Sequence, residues 1–291
     1  MKEKEIVVSS LLVITSFLLS CVSFSDRFSW DPIINKEGEI VKKSGKEKIK
    51  YDDETLISFK MVVFYDENFT TSWVIYPRDL VNFLESKDFK TLNAKELHRW
   101  MSLHVDKNSA YGTVCVMSMG IVPRELVTPR NKECVFYKYL FAGGRVVWIG
   151  DYPLWVIGSE GGYTETFGDE IAWDILDISG GRLTDYETGV EMTLTTPAKS
   201  ASITEEGKKW GMNVIDNAHT FFYSMNVTKV FSDVHPLYCC SWLKTYNFNY
   251  PNSGFIRYRS TLYDARDNQL NEDVYRLATY KLEKQKEGET K

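Results

Sequence analysis

The chain has no Cys-x-x-Cys pair, no His-x-His and no His-Glu-x-x-His. These spacings bring thiolates and imidazoles onto one zinc ion, so no metal site is expected, and no cofactor is called for either. Histidine is scarce, with 4 in 291 residues. His98 falls on the polar face of a helical pattern and His104 on an apolar face, where packing accounts for it. His219 and His235 have no partner at ligand spacing. A basic stripe is missing too: Lys and Arg number 35 against 40 acids, the net charge is −5, and nucleic acid is not an expected partner. Cysteine is limited to 5. Cys115 lies in an apolar run and reads as inert core, whereas the adjacent Cys239 and Cys240 point to opposite faces if they stand on a strand. Spacing assigns no disulfide among Cys115, Cys134, Cys239 and Cys240.

One region lacks charge altogether. After the charged Met1 to Glu5, Ile6 to Leu19 is almost wholly apolar, as in the hydrophobic region of a signal peptide. It ends Leu18-Leu19-Ser20-Cys21, which resembles a bacterial lipobox with Cys21 as the lipidated residue. Residues 1–21 are therefore read as an export signal, and the protein as a membrane-anchored lipoprotein. A cleaved secreted form and a single uncleaved N-terminal anchor are the alternatives, the run being marginal beside the ~20 residues of a spanning helix. Residues 22–55 read as a tether, with six lysines between Lys36 and Lys50 and with Gly38 and Gly45 interrupting the stretch.

From Leu56 the pattern changes to alternating strands and helices. The short apolar run Met61–Tyr65 reads as a strand buried on both faces, and Phe89–Leu92, Thr113–Met117 and Arg145–Ile149 read as further strands. Between them, Pro77 suits a first helical turn and Asn93 with Glu96 forms a capping-box pattern. Cys134 to Ala142 reads as a helix stopped by Gly143-Gly144. This alternation implies right-handed βαβ units and a mostly parallel sheet. Residues 152–235, rich in Gly, Thr and aromatics, read as a β-rich excursion, with a short helix from Ile203 to Trp210 capped by Thr204. Leu237–Tyr246 and Gly254–Tyr258 read as further strands. Asn271 is expected to cap a last helix, and 286–291 to be a charged tail.

Two stretches carry a resemblance. Residues 139 to 155, YLFAGGRVVWIGDYPLW, are similar to the helix, Gly-Gly stop and strand of uncharacterised proteins of the class I glutamine-amidotransferase-like superfamily. Residues 250 to 258, YPNSGFIRY, with 271 to 283, NEDVYRLATYKLE, resemble its closing segment. The resemblance covers 56–285. It implies a three-layer, doubly wound, flavodoxin-like α/β domain, in a superfamily that holds amidotransferases, peptidases, ThuA-like sugar proteins and inactive domains. Its enzymes carry a Cys or Ser between glycines on an elbow after the third strand. Here that stretch is Met117-Ser118-Met119-Gly120-Ile121-Val122-Pro123. Met119 stands about where the nucleophile would be, and Ser118 lacks the preceding glycine. The downstream His235-Pro236 is followed by Leu237 rather than an acid, so the usual Cys-His-Glu chemistry is not expected.

Ligands of open parallel sheets bind at the carboxyl ends of the strands. The residues there are Asp66 after the first strand, Ser118 after the third and Asp151 after the fourth, which are the catalytic candidates. Tyr76, Arg78 and Trp155 nearby are the ligand-binding candidates. The leading expectation is a membrane-tethered extracytoplasmic ligand-binding or assembly module on a non-catalytic scaffold, with a sugar or peptide ligand or an envelope-protein partner. The alternative is an envelope hydrolase acting on glycans or peptides through the strand-end carboxylates. The anchor reading has a direct test: Cys21→Ala is expected to move the protein from the membrane fraction to the soluble fraction, and an unchanged distribution counts against a lipid at Cys21.

Overall fold

A computed structural model describes residues 50–69, 71, 73–150, 152–159, 163–166, 170–178, 199–215, 217–218, 220–259 and 262–282. The chain divides into two units, Met1–Glu47 and Lys48–Lys291, and the described residues all belong to the second. Cys21, Asp151 and His219, which figure in the sequence reading, lie outside them.

The elements run α1 (Asp53–Ser58), β1 (Met61–Phe64), β2 (Val74–Ile75), α2 (Pro77–Glu85), β3 (Lys90–Leu92), α3 (Ala94–Asp106), β4 (Val114–Met117), β5 (Val122–Pro123), α4 (Val135–Phe141) and β6 (Arg145–Ile149). They continue with β7 (Val156–Ser159), β8 (Tyr163–Thr166), α5 (Glu170–Leu176), β9 (Lys199–Ser200), β10 (Ser202–Ile203), α6 (Glu205–Lys209), β11 (Asn217–Ala218) and β12 (Phe222–Tyr223). The last are β13 (Lys229–His235), β14 (Tyr238–Lys244), β15 (Gly254–Tyr258), β16 (Tyr263–Asp264) and α7 (Asn268–Thr279).

Local chemistry sets most helix ends. Asn93 and Glu96 form the reciprocal capping box of α3, with Glu96 N donating to Asn93 Oδ1 and Asn93 N donating to Glu96 Oε2. Thr204 accepts from Gly207 N at the start of α6. Past the end of α4, Gly143 takes φ +92, and its N–H and that of Gly144 return to the carbonyls of Leu140 and Tyr139. A Cβ on Gly144 would stand 2.3 Å from the Tyr139 ring, so this stop also permits close packing. The last helix starts earlier than Asn271. Asp267 caps it through Gln269 N, and Asn271 is buried one turn inside, where its amide bridges Tyr263 Oη and the Ala265 carbonyl. The folded body likewise begins before Leu56, because Asp52 caps α1, whose Leu56 is buried.

The central sheet has nine strands in the order β10–β13–β14–β15–β6–β4–β1–β3, with β12 also on β14. β3, β1, β4, β6 and β15 are mutually parallel, while β14, β13, β10 and β12 pair antiparallel. The fold is α/β around a mostly parallel centre, but the sheet is mixed. The expected excursion is accordingly split. β5, β7 and β8 form a small separate sheet, whereas β10, β12 and β13 extend the main one. The half-buried Lys229–His235, with register shifts against β14, carries too irregular an alternation to stand out in sequence.

Alternate residues of the parallel strands enter two cores. Val62, Phe64, Cys115, Met117, Val146, Trp148 and Phe255 meet α3, α4 and α5. Val63, Val114, Val116, Val147, Ile149, Ile256 and Tyr258 meet α2 and α7. Helices thus cover both faces, which is why these strands read as unbroken apolar runs. At the amino edge the buried Arg145 donates to Ala278 O at 2.7 Å and to Asn252 O at 2.7 Å, and its guanidinium lies over Trp210. Burial lowers its pKa to about 10, and the carbonyls at the negative end of α7 stabilise the remaining charge. Asp273, also buried, accepts from Asn213 N, Val214 N and Tyr258 Oη and so fastens the 211–214 turn to α7. Cys115, Cys134, Cys239 and Cys240 are buried and form no disulfide with one another, and burial pushes the pKa of Cys239 up to about 12. Burial raises the pKa of Cys115 and Cys134 as well, so these three thiols are protonated and unreactive at neutral pH. No helix among the described residues is long and apolar enough to cross a membrane.

His104 generates a pH dependence. It is fully buried beside Trp100, and its Nδ1 lies 2.8 Å from Ser109 Oγ. Burial, and then the charge of Lys60, hold its pKa down to about 4 from 6.5. The unfolded chain binds this proton near pH 6.5 and the folded chain only near 4, so its contribution is intact above 6.5 and is lost as pH falls between those values. The full effect is about 3 kcal/mol. His104→Gln is expected to remove that part of the slope. Denaturant unfolding at a series of pH values measures it, and equal slopes in parent and variant would contradict the assignment.

Candidate functional site

The strand order reverses between β1 and β4: β1 connects outward to β3, and β4 to β6. The chain leaves β1 for α2 on one face and leaves β4 for α4 on the other. Such a divergence opens a crevice at the carboxyl ends of the strands, where open α/β sheets take ligands.

Two of the sequence candidates meet there. Asp66 follows β1 and is only 3% exposed. Its Oδ1 accepts from Asn68 N and Asn68 Nδ2, both at 3.0 Å, and its Oδ2 accepts from Ala94 N at 3.1 Å, at the first turn of α3. The carboxylate therefore sits at the positive end of that helix and joins the β1 loop to it. Ser118 follows β4 with 0% exposure, and its hydroxyl donates to Phe64 O at 2.5 Å. Met119 is buried beside it, and its sulfur accepts from Asp66 N at 3.3 Å. The floor of the crevice is closed by these contacts. Asp66 and Ser118 are both buried, and their bonds serve as struts between β1, β4 and α3. The strained backbone of a nucleophile elbow is not at Ser118 or Met119 either. Gly120 takes the left-handed turn, at φ +65.

Above this floor the rim is open. Tyr76 precedes α2 as its N-cap and is 52% exposed, with Arg78 exposed two residues on. Each takes part in a cation–aromatic pair: the Arg266 guanidinium is 4.0 Å from the Tyr76 ring centroid, and Arg78 is 5.2 Å from that of Tyr65. Arg266 is held in place by a bidentate pair with Asp264, at 2.9 and 2.6 Å. Trp155 stands further along, past β6, 40% exposed and packed edge-on against Tyr152 at 5.3 Å. Of the ligand-binding candidates, Tyr76 and Arg78 stand together at the start of α2, and Trp155 follows β6 and contacts Tyr152. Among the described residues no group of three His, Cys, Asp or Glu is placed to hold a metal ion.

Sequence reading missed a second signal at this rim. Trp73, Tyr76, Leu154 and Arg259 all have left-handed backbone, with φ of 61, 56, 60 and 65. Bulky residues adopt that conformation at a cost of about 1–3 kcal/mol each. β2 and β16 hold part of this strained edge together, since Tyr263 N donates to Trp73 O at 2.8 Å and Ala265 N to Ile75 O. No residue type in these positions announces the conformation, and Arg266 is separated from Tyr76 by most of the chain, so only the fold could bring them together.

The struts can be measured. Asp66→Ala leaves two buried or half-buried backbone N–H groups without their acceptor and is expected to cost about 2–4 kcal/mol in chemical denaturation. Ser118→Ala removes one hydrogen bond and is expected to cost about 1 kcal/mol. Loss of stability below 0.5 kcal/mol for Asp66→Ala, on the order of an exposed substitution, would contradict the strut role.

No curated protein and no solved structure matches the chain. A sequence model of the MJECL34 family matches residues 59–271, a span that runs from just before β1 into α7 and takes in the central sheet and both halves of the rim. With that match over more than half of its length, the chain belongs to the MJECL34 family.

Proposed function

We propose that this protein is a non-catalytic binding module that presents a recognition rim at the carboxyl edge of a flavodoxin-like, glutamine-amidotransferase-like α/β domain, held on the outer side of a membrane through its N-terminus. Three features support the fold assignment. The parallel strands take the order β3–β1–β4–β6–β15, which is the doubly wound order 2-1-3-4-5. α2 and α7 share one face while α3 and α4 share the other. The elbow position after the third parallel strand is Met117-Ser118-Met119-Gly120.

The observation that carries the binding reading is the contrast between floor and rim. At the floor, the groups a hydrolase would use are consumed by internal hydrogen bonds: Ser118 with Phe64 O, Asp66 with Asn68 and Ala94. At the rim, rings and guanidinium groups are exposed on a backbone held in costly conformations. Strain of that kind persists where surrounding structure enforces it and accompanies binding surfaces. This contrast favours a binding module over a hydrolase acting through Asp66, Ser118 and Asp151. Exposed aromatic rings offer stacking faces for sugar rings, and the guanidinium groups of Arg78 and Arg266 match carboxylates, so a glycan bearing peptide stems is the ligand class that suits both. Cys21, at the end of the 1–21 export signal, supplies the lipid attachment point and residues 22–55 the tether, and an envelope protein is the other partner this placement allows.

Titration calorimetry with soluble glycan–peptide fragments tests this reading. The parent protein is expected to bind, and Arg78→Ala and Trp155→Ala are expected each to weaken binding about tenfold, or ~1.4 kcal/mol. Since both side chains are exposed, folding is expected to be unchanged. Absence of binding to glycan and peptide fragments alike, or equal affinity in all three proteins, would overturn it.

A further inference from the structure

The apolar end of the same rim has a different chemistry from the Tyr76–Arg78 end. The β13–β14 hairpin turns at Pro236-Leu237, with His235 paired to Tyr238. In register, Trp242 of β14 pairs with Arg257, and Tyr258 of β15 pairs with Ile149, the last residue of β6. Tyr238 therefore lies about three residues, or ~10 Å, beyond the carboxyl end of the parallel strands. β12 runs alongside, with Tyr223 paired to Tyr238, and Ser224 N donates to Leu237 O at 2.9 Å. This fixes the 3₁₀ turn Ser224–Asn226 against the hairpin, so the projecting tip is a rigid double loop.

Its surface is apolar. Met225 is 86% exposed and Leu237 61%, and the Tyr223 ring packs on that of Tyr238 at 5.3 Å. From Thr220 to Thr228 and from Val234 to Leu243 there is no Lys, Arg, Asp or Glu. The point where the chain enters the body lies on the same edge. Lys50 N donates to Glu96 Oε1 at 2.7 Å, at the first turn of α3, which starts where β3 ends.

We infer that this tip, formed by Tyr223, Met225, Leu237 and Tyr238, inserts into the interfacial layer of a phospholipid bilayer. The inference rests on the membrane-tether reading above and adds a second contact to it. The size of the tip decides between lipid and protein. A stable protein interface takes roughly 20–30 residues a side, and this tip offers a handful of side chains. A handful of aromatic and aliphatic side chains is enough to enter the headgroup boundary, and a lipid anchor of marginal strength needs a second membrane signal to hold stably. Tyrosine rings at the boundary with Met and Leu at the apex is the distribution that the interface favours.

The test uses the full chain, in its parent form and as Cys21→Ala, each carrying Met225→Cys or Leu237→Cys labelled with an environment-sensitive fluorophore. Phe248→Cys serves as the control: Phe248 is 80% exposed in the loop between β14 and β15, at the opposite, amino edge. Vesicles of equal parts phosphatidylethanolamine and phosphatidylglycerol are added, with and without acyl-chain spin labels. The labels at 225 and 237 are expected to shift to shorter wavelength and to be quenched several-fold more than the label at 248. Labels at 225 and 237 that behave like the one at 248 overturn the inference. So does a shift that follows protein concentration without vesicles, which would assign the tip to a second copy. Failure of the tether reads out separately, as Cys21→Ala chain floating with vesicles as fully as its parent.

Discussion

The arrangement depends on burying a parallel sheet on both faces. β1, β4, β6 and β15 carry apolar side chains in both directions, and none of these strands tolerates an open face. That requirement sends α2 and α7 to one side and α3, α4 and α5 to the other. It also forces the connections after β1 and β4 to part. The crevice between them is a consequence of covering the sheet, and so is the need to satisfy the polar backbone that the diverging connections expose.

In this protein that need is met by a carboxylate, a hydroxyl and a thioether at the strand ends. The Asp66 carboxylate answers the N–H groups of Asn68 and Ala94, Ser118 answers the Phe64 carbonyl, and Met119 fills the space between. Breaking the bonds to Ala94 N and Phe64 O would leave buried partners without solvation, so they count for stability. Further out, the backbone is left-handed at four bulky residues and the exposed side chains include rings and guanidinium groups. The two ends of that rim differ in charge, with Arg78 and Arg266 at one and an uncharged hairpin tip at the other, so they suit different surfaces.

The buried side chains of Arg145 and Asp273 follow the same logic of compensation. Arg145 remains charged because the end of α7 and the Asn252 carbonyl surround it with acceptors, and Asp273 remains in place because two backbone donors and Tyr258 reach it. Each ties segments far apart in sequence, β6 to α7 and the 211–214 turn to α7, so the closing helix is held by polar contacts as well as by its apolar face.

Local chemistry was enough, without any fold, to place the parallel strands, the capping box of α3, the Thr204 cap and the Gly143-Gly144 stop, because each depends on residues within a few positions of one another. The same is true of the apolar run before Cys21 and of the missing elbow glycine before Ser118. Tertiary structure alone decided the rest. β10, β12 and β13 joined the main sheet through pairings that their own irregular alternation does not encode, and Asp267 displaced Asn271 as cap because Tyr263 and Ala265 claim the Asn271 amide. Asp66 and Ser118 read as candidate catalysts from their positions at strand ends. Their bonds to Ala94 and Phe64 cross 28 and 54 residues, and a hydrogen bond across that separation exists only once the sheet has brought its two ends together.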